Sequence, residues 1–231
     1  MKRAIILAGG KGTRLKPYTI SMPKPLVPVG GKPILERIII KLRDSGFNHI
    51  TITVNHMADM IMRYFEDGNK WNVKIDYSLE RIPLSTMGPL KLVEDLPDNF
   101  LVMNGDVLTD LEFQDFFESH VKSNNIFTIS SSKRIEKVDY GVLNIGKSLE
   151  LLSFEEKPEY EFQVSMGVYA LNKSVLNHIP ESTFFGFDHL MDTLLTKNTI
   201  VKVVEHKGFW LDIGRPSDYE YANEIYDKTI D

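Results

Sequence analysis

Several short stretches of the chain hold side chains whose types and spacing suit the handling of phosphate and metal. The first is LAGGKGTRLKPYTISMPKPLVPVGGKP, residues 7 to 33, where Gly9, Gly10 and Gly12 follow an apolar run and are themselves followed by Arg14, Lys16 and Lys24. Glycines directly after a strand let the backbone close on an anion and turn its amides toward it. The three cations supply charge that a neutral glycine loop lacks. A tight turn with surface lysines would use the same residues, but Pro17, Pro23, Pro25 and Pro28 remove the flexibility of such a loop. The stretch is not a Walker A loop, because Lys11 is followed by Gly12 rather than Ser or Thr. Nor is it a dinucleotide fingerprint, since Leu15 stands at the third glycine position.

Carboxylates supply the second kind of chemistry. Asn104-Gly105-Asp106 ends one strand-like run, and Asp212 ends another before Gly214 and Arg215. Each aspartate alone reads equally well as a turn residue. Together, two carboxylates at strand ends can hold a divalent cation against a triphosphate. Glu156-Lys157-Pro158 reads by itself as a charged strand edge with a proline turn. The six histidines show no i, i+4 ligand pair, and Phe113, Phe116 and Phe117 have the spacing of a helix core face.

The elements that must position these residues follow from the apolar pattern. RAIILA (3 to 8) is a short run bounded by glycine, the pattern of a strand buried on both faces. After Pro33, which suits a first-turn position, ILERIIIKLRDSG predicts a helix stopping at Gly46. Strands at 49 to 54 and 73 to 78, a helix over 58 to 66, a strand at 100 to 106, a helix over 111 to 123 and a strand at 126 to 131 continue the alternation. YGVLNIG, LELLSFEEKP and VSMGVYAL are strand-like pieces with no long helix between them, which marks an antiparallel insertion. Helices over 173 to 179, 187 to 197 and 216 to 228 alternate with strands at 200 to 205 and 208 to 213. The fold class is therefore α/β: a doubly wound, mostly parallel mixed sheet flanked by helices, carrying an antiparallel subdomain. Such sheets bind ligands at the carboxyl ends of their strands, an edge expected to carry Gly9, Gly10 and Asp106.

Composition bounds what else the chain does. Its 231 residues make one domain the default, and the absence of cysteine excludes a thiol nucleophile and thiolate metal sites. The longest apolar runs fall short of a membrane span, and MKRAIILAGG is too short for a signal peptide, so the expected location is the cytoplasm. A net charge of -5 argues against nucleic acid and anionic membranes as partners. Residues 1 to 35 nevertheless hold seven basic side chains and no acidic one, leaving 20 basic against 32 acidic side chains elsewhere.

The string GGKGTRLKPYT...MPKPLVPVGGKP resembles the signature of sugar-1-phosphate nucleotidyltransferases, the nucleotide-sugar pyrophosphorylases. The resemblance implies a Rossmann-like catalytic domain spanning 1–231, with a nucleotide-binding part over about 1–132, a sugar-phosphate-binding part over about 133–231 that includes the antiparallel insertion, and no β-helix domain. It implies transfer of a nucleoside monophosphate from an NTP to a sugar 1-phosphate with Mg2+ as cofactor, pyrophosphate as the other product, and a homodimer as one arrangement. Carried over to this sequence, catalysis falls to Arg14, Lys24, Asp106 and Lys157. The nucleotide falls to Leu7, Ala8, Gly9, Gly10, Gly12, Thr13, Arg14, Lys24, Glu80, Thr86, Gly88, Asn104 and Gly105. The sugar phosphate falls to Gly141, Glu156, Lys157 and Gly167, and the metal to Asp106 and Asp212. Two segments depart from the family pattern: Ser165-Met166-Gly167 stands where Asn-Ala-Gly is usual, and Leu84-Ser85-Thr86-Met87-Gly88 where Leu-Gly-Thr-Ala-Gly is frequent.

Glu80 bears on the base. A carboxylate accepts hydrogen bonds from both guanine N1–H and N2–H, whereas uracil or thymine offers one N–H. That favours GTP over CTP, dTTP or UTP, with a solvent-facing glutamate as the competing reading. The segments PEYEFQVSMGVYAL and WLDIGRPSDY resemble the mannose- or heptose-phosphate guanylyltransferase branch, which feeds glycan, capsule or lipopolysaccharide synthesis. A noncatalytic binding subunit and a metal-dependent glycosyltransferase are the readings from other classes. The latter typically carries a DxD motif, which Asn104-Gly105-Asp106 is not.

Overall fold

The structure is a computed structural model that describes residues 2–227. In chain order its first half comprises β1 (Arg3–Leu7), β2 (Pro28–Val29), β3 (Lys32–Pro33), α1 (Ile34–Asp44), β4 (His49–Val54), α2 (Ala58–Phe65), β5 (Lys74–Leu79), β6 (Asn99–Asn104), β7 (Val107–Thr109) and α3 (Phe113–Lys122). The second half comprises β8 (Phe127–Lys137), β9 (Val142–Ile145), β10 (Leu151–Glu155), β11 (Glu159–Asn172), α4 (Phe187–Thr196), β12 (Val201–His206), β13 (Trp210–Asp212) and α5 (Pro216–Asp227). Seven strands form the central sheet in the order β12-β8-β11-β6-β1-β4-β5. Only β11 runs against the rest, pairing antiparallel with β6 and β8. The chain winds outward from β1 to β4 and β5, then returns to lay β6 on the other side of β1, so strand order reverses between β1 and β6.

The period of two along each strand sorts side chains between two cores. Ala4 and Ile6 of β1, Leu101 and Met103 of β6, and Val168 and Ala170 of β11 pack beneath α1, α2, α3 and α5. The intervening Ile5, Phe100, Val102, Tyr169 and Leu171 pack with Val175 and with Leu190 and Leu194 of α4. Phe113, Phe116 and Phe117 are buried in the first core, as their spacing predicts. α1 buries Ile34, Leu35, Ile38, Ile39 and Leu42. Arg37 on the same helix donates to the carbonyls of Val29 and Gly30, both at 2.7 Å. Among the described residues no helix is long and apolar enough to cross a membrane.

Three expectations need correction. Residues 173–178 form a 3-10 helix rather than an α-helix, and Pro33 precedes α1 instead of lying in its first turn. The strand expected to end at Ser131 continues to Lys137. Its outer half, SSKRIEK, is polar on both faces and gives no apolar alternation, but it is held to β11 by the ladder and by Lys133–Glu161 and Lys137–Glu159 pairs, each 2.5 Å. β8 and β11 thereby continue from the sheet into an arm, across a register shift between Ser165 and Tyr169, with the β9–β10 hairpin between them in the chain. The last position of the expected C-terminal helix, Lys228, lies outside the described residues.

Candidate active site

A cleft of about 500 Å³ opens at the carboxyl ends of β1 and β6, at the reversal of strand order, and Gly9, Gly10, Glu80, Thr86, Asn104 and Asp106 line it. Two of the three loop glycines are tightly surrounded, while Gly10 faces open space. A Cβ on Gly9 would stand 2.6 Å from Glu80 Oε1. Gly12 has φ +61, and a Cβ there would stand 3.0 Å from Thr19 Cγ2 and 3.1 Å from Lys24 Cβ. Thr19 Oγ1 donates to the Gly12 carbonyl at 2.8 Å, which fixes the loop over the PKP segment.

Glu80 does not face solvent: it is 7% exposed. Its Oε2 accepts the Leu84 amide at 3.1 Å, and Asn55 Nδ2 donates to the Glu80 carbonyl at 2.8 Å. Burial pushes its carboxyl above the ordinary range, and the Leu84 amide opposes that shift. Asn55 and Lys11, which also line this cleft, were not singled out by the sequence. An asparagine after a strand carries no distinguishing pattern of its own.

The two aspartates are brought together by a ribbon that the sequence pattern did not pair. β7 and β13 run antiparallel with Asp212 opposite Val107, and the Ile213 amide donates to the Asp106 carbonyl at 3.0 Å. Lys24 Nζ donates to Asp106 Oδ2. The remaining oxygen of Asp106 and the Oδ1 of Asp212 are buried with no hydrogen-bond partner among the described residues. Burial and the neighbouring Asp106 raise the Asp212 carboxyl above its ordinary range, against the pull of Lys24 and Arg14. Two orphaned carboxylate oxygens side by side are costly unless a cation meets them. They suit a divalent ion of the Mg2+ type, which prefers oxygen ligands and leaves further positions to phosphate and water. No third carboxylate or imidazole completes a metal-binding cluster among the described residues.

The other residues implied by the resemblance separate into groups. Ala8, Gly88 and Gly105 have their amides committed to the carbonyls of Thr53 (3.0 Å), Phe185 (2.9 Å) and Leu7 (2.9 Å), so they shape the cleft rather than offer N–H groups to a ligand. Leu7 lines the cleft, and Thr86 lines it while its hydroxyl accepts the Phe187 amide at 2.8 Å. Thr13 and Arg14 are exposed on the short 3-10 turn after Gly12. Gly167 has φ +73 at the irregularity in β11, and a Cβ there would stand 2.5 Å from Asn104 Nδ2. This places it against the cleft wall. Gly141, Glu156 and Lys157 lie exposed on the arm. A Cβ on Gly141 would stand 3.2 Å from Glu156 Oε2, and Lys157 takes φ +47 in the turn from β10 to β11.

Residues 3–229 match the family described as nucleotidyl transferase. A mannose-1-phosphate guanyltransferase of Aspergillus oryzae is 35% identical over 97% of this chain and 64% of its own length. A UTP--glucose-1-phosphate uridylyltransferase of Synechocystis is 32% identical over 95% of this chain and 62% of its own length. The chain thus spans somewhat less than two thirds of these curated relatives. The crystal structure of HddC from Yersinia pseudotuberculosis complexed with GMP-PN is similar with a TM-score of 0.75 and 32% identity, covering 98% of this chain and 100% of that one. With a match that runs nearly end to end, and with its glycine loop and paired aspartates at the switch in strand order, the chain belongs to the nucleotidyl transferase family.

Proposed function

We propose that this protein transfers a nucleoside monophosphate, from GTP in preference to other NTPs, to a sugar 1-phosphate, giving a nucleotide-sugar and pyrophosphate. The observation that carries this reading is the pair of orphaned carboxylate oxygens on Asp106 and Asp212, beside Lys24 and next to a glycine-walled cleft. The acceptor phosphate brings its own nucleophilic oxygen, since a phosphate ester is largely dianionic at neutral pH, so the protein needs no general base. Its task is to hold two mutually repelling anions in line and to stabilise charge on the leaving pyrophosphate. Gly9 and Gly10 let the nucleotide approach the backbone, Lys24 and Arg14 meet the triphosphate, and Lys157 with Glu156 and Gly141 takes the sugar phosphate from the arm. Mg2+ held by Asp106 and Asp212 would supply Lewis-acid neutralisation of the phosphates.

The buried Glu80 carboxylate supports guanine, in keeping with the GMP-PN complex of HddC and the name of the Aspergillus relative. UTP is the second reading, favoured by the name of the Synechocystis relative. Exposed Leu143, Ile145, Leu151 and Phe154 on the arm support a homodimer, which light scattering of the purified protein tests.

The deciding experiment is a matrix of four NTPs against a panel of sugar 1-phosphates, scored by pyrophosphate release. The best pair is expected to contain GTP. With that pair Lys24→Ala and Asp106→Ala are expected to lose about 10² to 10³ in turnover. Near-normal release from both variants overturns the assignment. Transfer of sugar from a nucleotide-sugar without pyrophosphate would indicate a glycosyltransferase, and no turnover with any pair a binding subunit.

A further inference from the structure

A second concavity, of about 210 Å³, lies on the other side of the paired aspartates, and Arg14, Arg134, Trp210, Asp212, Arg215 and Asp218 are among its walls. Its three guanidinium groups come from distant parts of the chain. Arg14 belongs to the 3-10 turn after the glycine loop, Arg134 to the outer half of β8, and Arg215 to the turn before α5. Arg14 lies close over that turn, its Nη2 being 3.7 Å from where a Cβ on Gly214 would stand. Three cations converging on so small a space repel one another unless anions offset them.

The protein's own anions do so poorly. Asp218 spends one oxygen on the amides of Gly214 (3.1 Å) and Arg215 (2.7 Å), where it caps the start of α5. Asp212 attracts Arg14, but it is shared with Lys24 and faces the like charge of Asp106. Arg134 pairs through Nε with Glu136 Oε1 at 2.5 Å, two residues along the same strand, but both side chains are more than half exposed. Such surface pairs hold a guanidinium only weakly. Neither Arg14 nor Arg215 forms an ion pair among the described residues. The concavity is thus a forked-donor pocket with unspent charge, the arrangement that recognises phosphate oxygens.

Its position says which phosphate. Asp106 lines the nucleotide cleft and Asp212 lines this pocket, while the bond from the Ile213 amide to the Asp106 carbonyl holds the two side by side. A triphosphate whose base rested against Glu80 and whose α-phosphate met the two aspartates would extend its remaining phosphates beyond them, toward this pocket. During transfer the sugar phosphate oxygen bonds to the α-phosphorus and the bond from that phosphorus to the bridging oxygen breaks. The electron pair stays on the departing oxygen, and pyrophosphate leaves with the added charge. We propose that Arg134 and Arg215, together with Arg14, form the seat of this departing diphosphate. The inference rests on the nucleotidyl transfer reading and adds two phosphate-holding residues to it.

The test runs the reaction in both directions with the best substrate pair, comparing wild type with Arg134→Ala, Arg215→Ala and the corresponding lysine variants. Both arginines are exposed, so the folded state should survive, which thermal unfolding verifies. In the reverse direction, from nucleotide-sugar and inorganic pyrophosphate, the KM for pyrophosphate should rise about tenfold in each alanine variant, a loss typical of one charge-assisted hydrogen bond. Product inhibition by pyrophosphate should weaken by the same factor. The KM for sugar 1-phosphate should stay within about twofold, and lysine should restore part of the loss. A defect confined to sugar 1-phosphate would mean that the pocket holds the acceptor instead and would overturn the proposal, as would unchanged kinetics. Calorimetric titration of inorganic pyrophosphate into wild type and the Arg134→Ala variant separates this from the parent reading. Should no substrate pair turn over, nucleotidyl transfer fails, while equal or absent pyrophosphate binding in the two proteins sinks the pocket by itself.

Discussion

At the scale of single residues, the contact between Gly9 and Glu80 shows how closely the cleft is cut. Gly9→Ala would set a methyl group against Glu80 Oε1 and is expected to lower kcat/KM for GTP by about 10² while leaving the thermal unfolding midpoint nearly unchanged. Glu80→Gln turns one acceptor into a donor facing guanine N–H. It is expected to raise the KM for GTP about tenfold and that for UTP far less, so the GTP/UTP ratio of kcat/KM is the quantity to measure. His120 carries a stability prediction. It is fully buried with Nδ1 2.8 Å from Thr128 Oγ1, and burial pushes its pKa down to about 4. The unfolded chain takes up a proton on this imidazole near pH 6.5, before the folded protein does, so stability falls as pH drops from 6.5 toward 4. The slope from this group approaches about 1.4 kcal/mol per pH unit, and His120→Gln should flatten that part of a urea-unfolding profile. The glycine loop and Asp106 could be placed at one sheet edge from the sequence because each follows a strand, whereas the burial of Glu80 could not, since a solvent-facing glutamate gives the same pattern. Arg134 was not singled out, because an arginine within a polar run gives no sign of which concavity it lines.

At the scale of elements, the longer strands and helices of the first 120 residues were legible because their apolar periods are clean, and α1 and β4 lie within two residues of expectation, whereas the two- and three-residue strands β2, β3 and β7 were not. The outer halves of β8 and β11 were not, because cross-strand ion pairs rather than a buried face hold them. Nor was the pairing of β7 with β13, since three-residue strands leave no period to read and their partner is far along the chain. That ribbon nonetheless sets Asp212 beside Asp106. The irregularity in β11 is a second such device: Gly167 takes φ +73 so that the strand can pass Asn104, and Trp210 Nε1 donates to the neighbouring Met166 carbonyl at 3.0 Å. Gly167→Ala must strain the backbone and push Asn104 away. A loss of about 1 to 3 kcal/mol in urea unfolding is expected, together with reduced turnover even where the protein remains folded.

At the scale of the whole molecule, the net charge of -5 averages an acid-free, basic first 35 residues with an acidic remainder, so the sum conceals the site. Among the described residues Asp106 and Asp212 repel each other with only Lys24 and Arg14 to offset them, which makes the ligand-free state less stable than the loaded one. GTP with Mg2+ at 100 times its dissociation constant should add about 2.7 kcal/mol, read as a rise in the thermal midpoint, and Asp212→Asn should abolish the Mg2+-dependent part of that rise. The β7–β13 ribbon has a consequence for synthesis as well. Asp106 and its glycine loop leave the ribosome well before β13 is made, and closing so long a loop delays this contact relative to local ones. A growing chain therefore carries Gly9, Gly10 and Asp106 long before it gains Asp212, and the pair of carboxylates is complete only when β13 has been made.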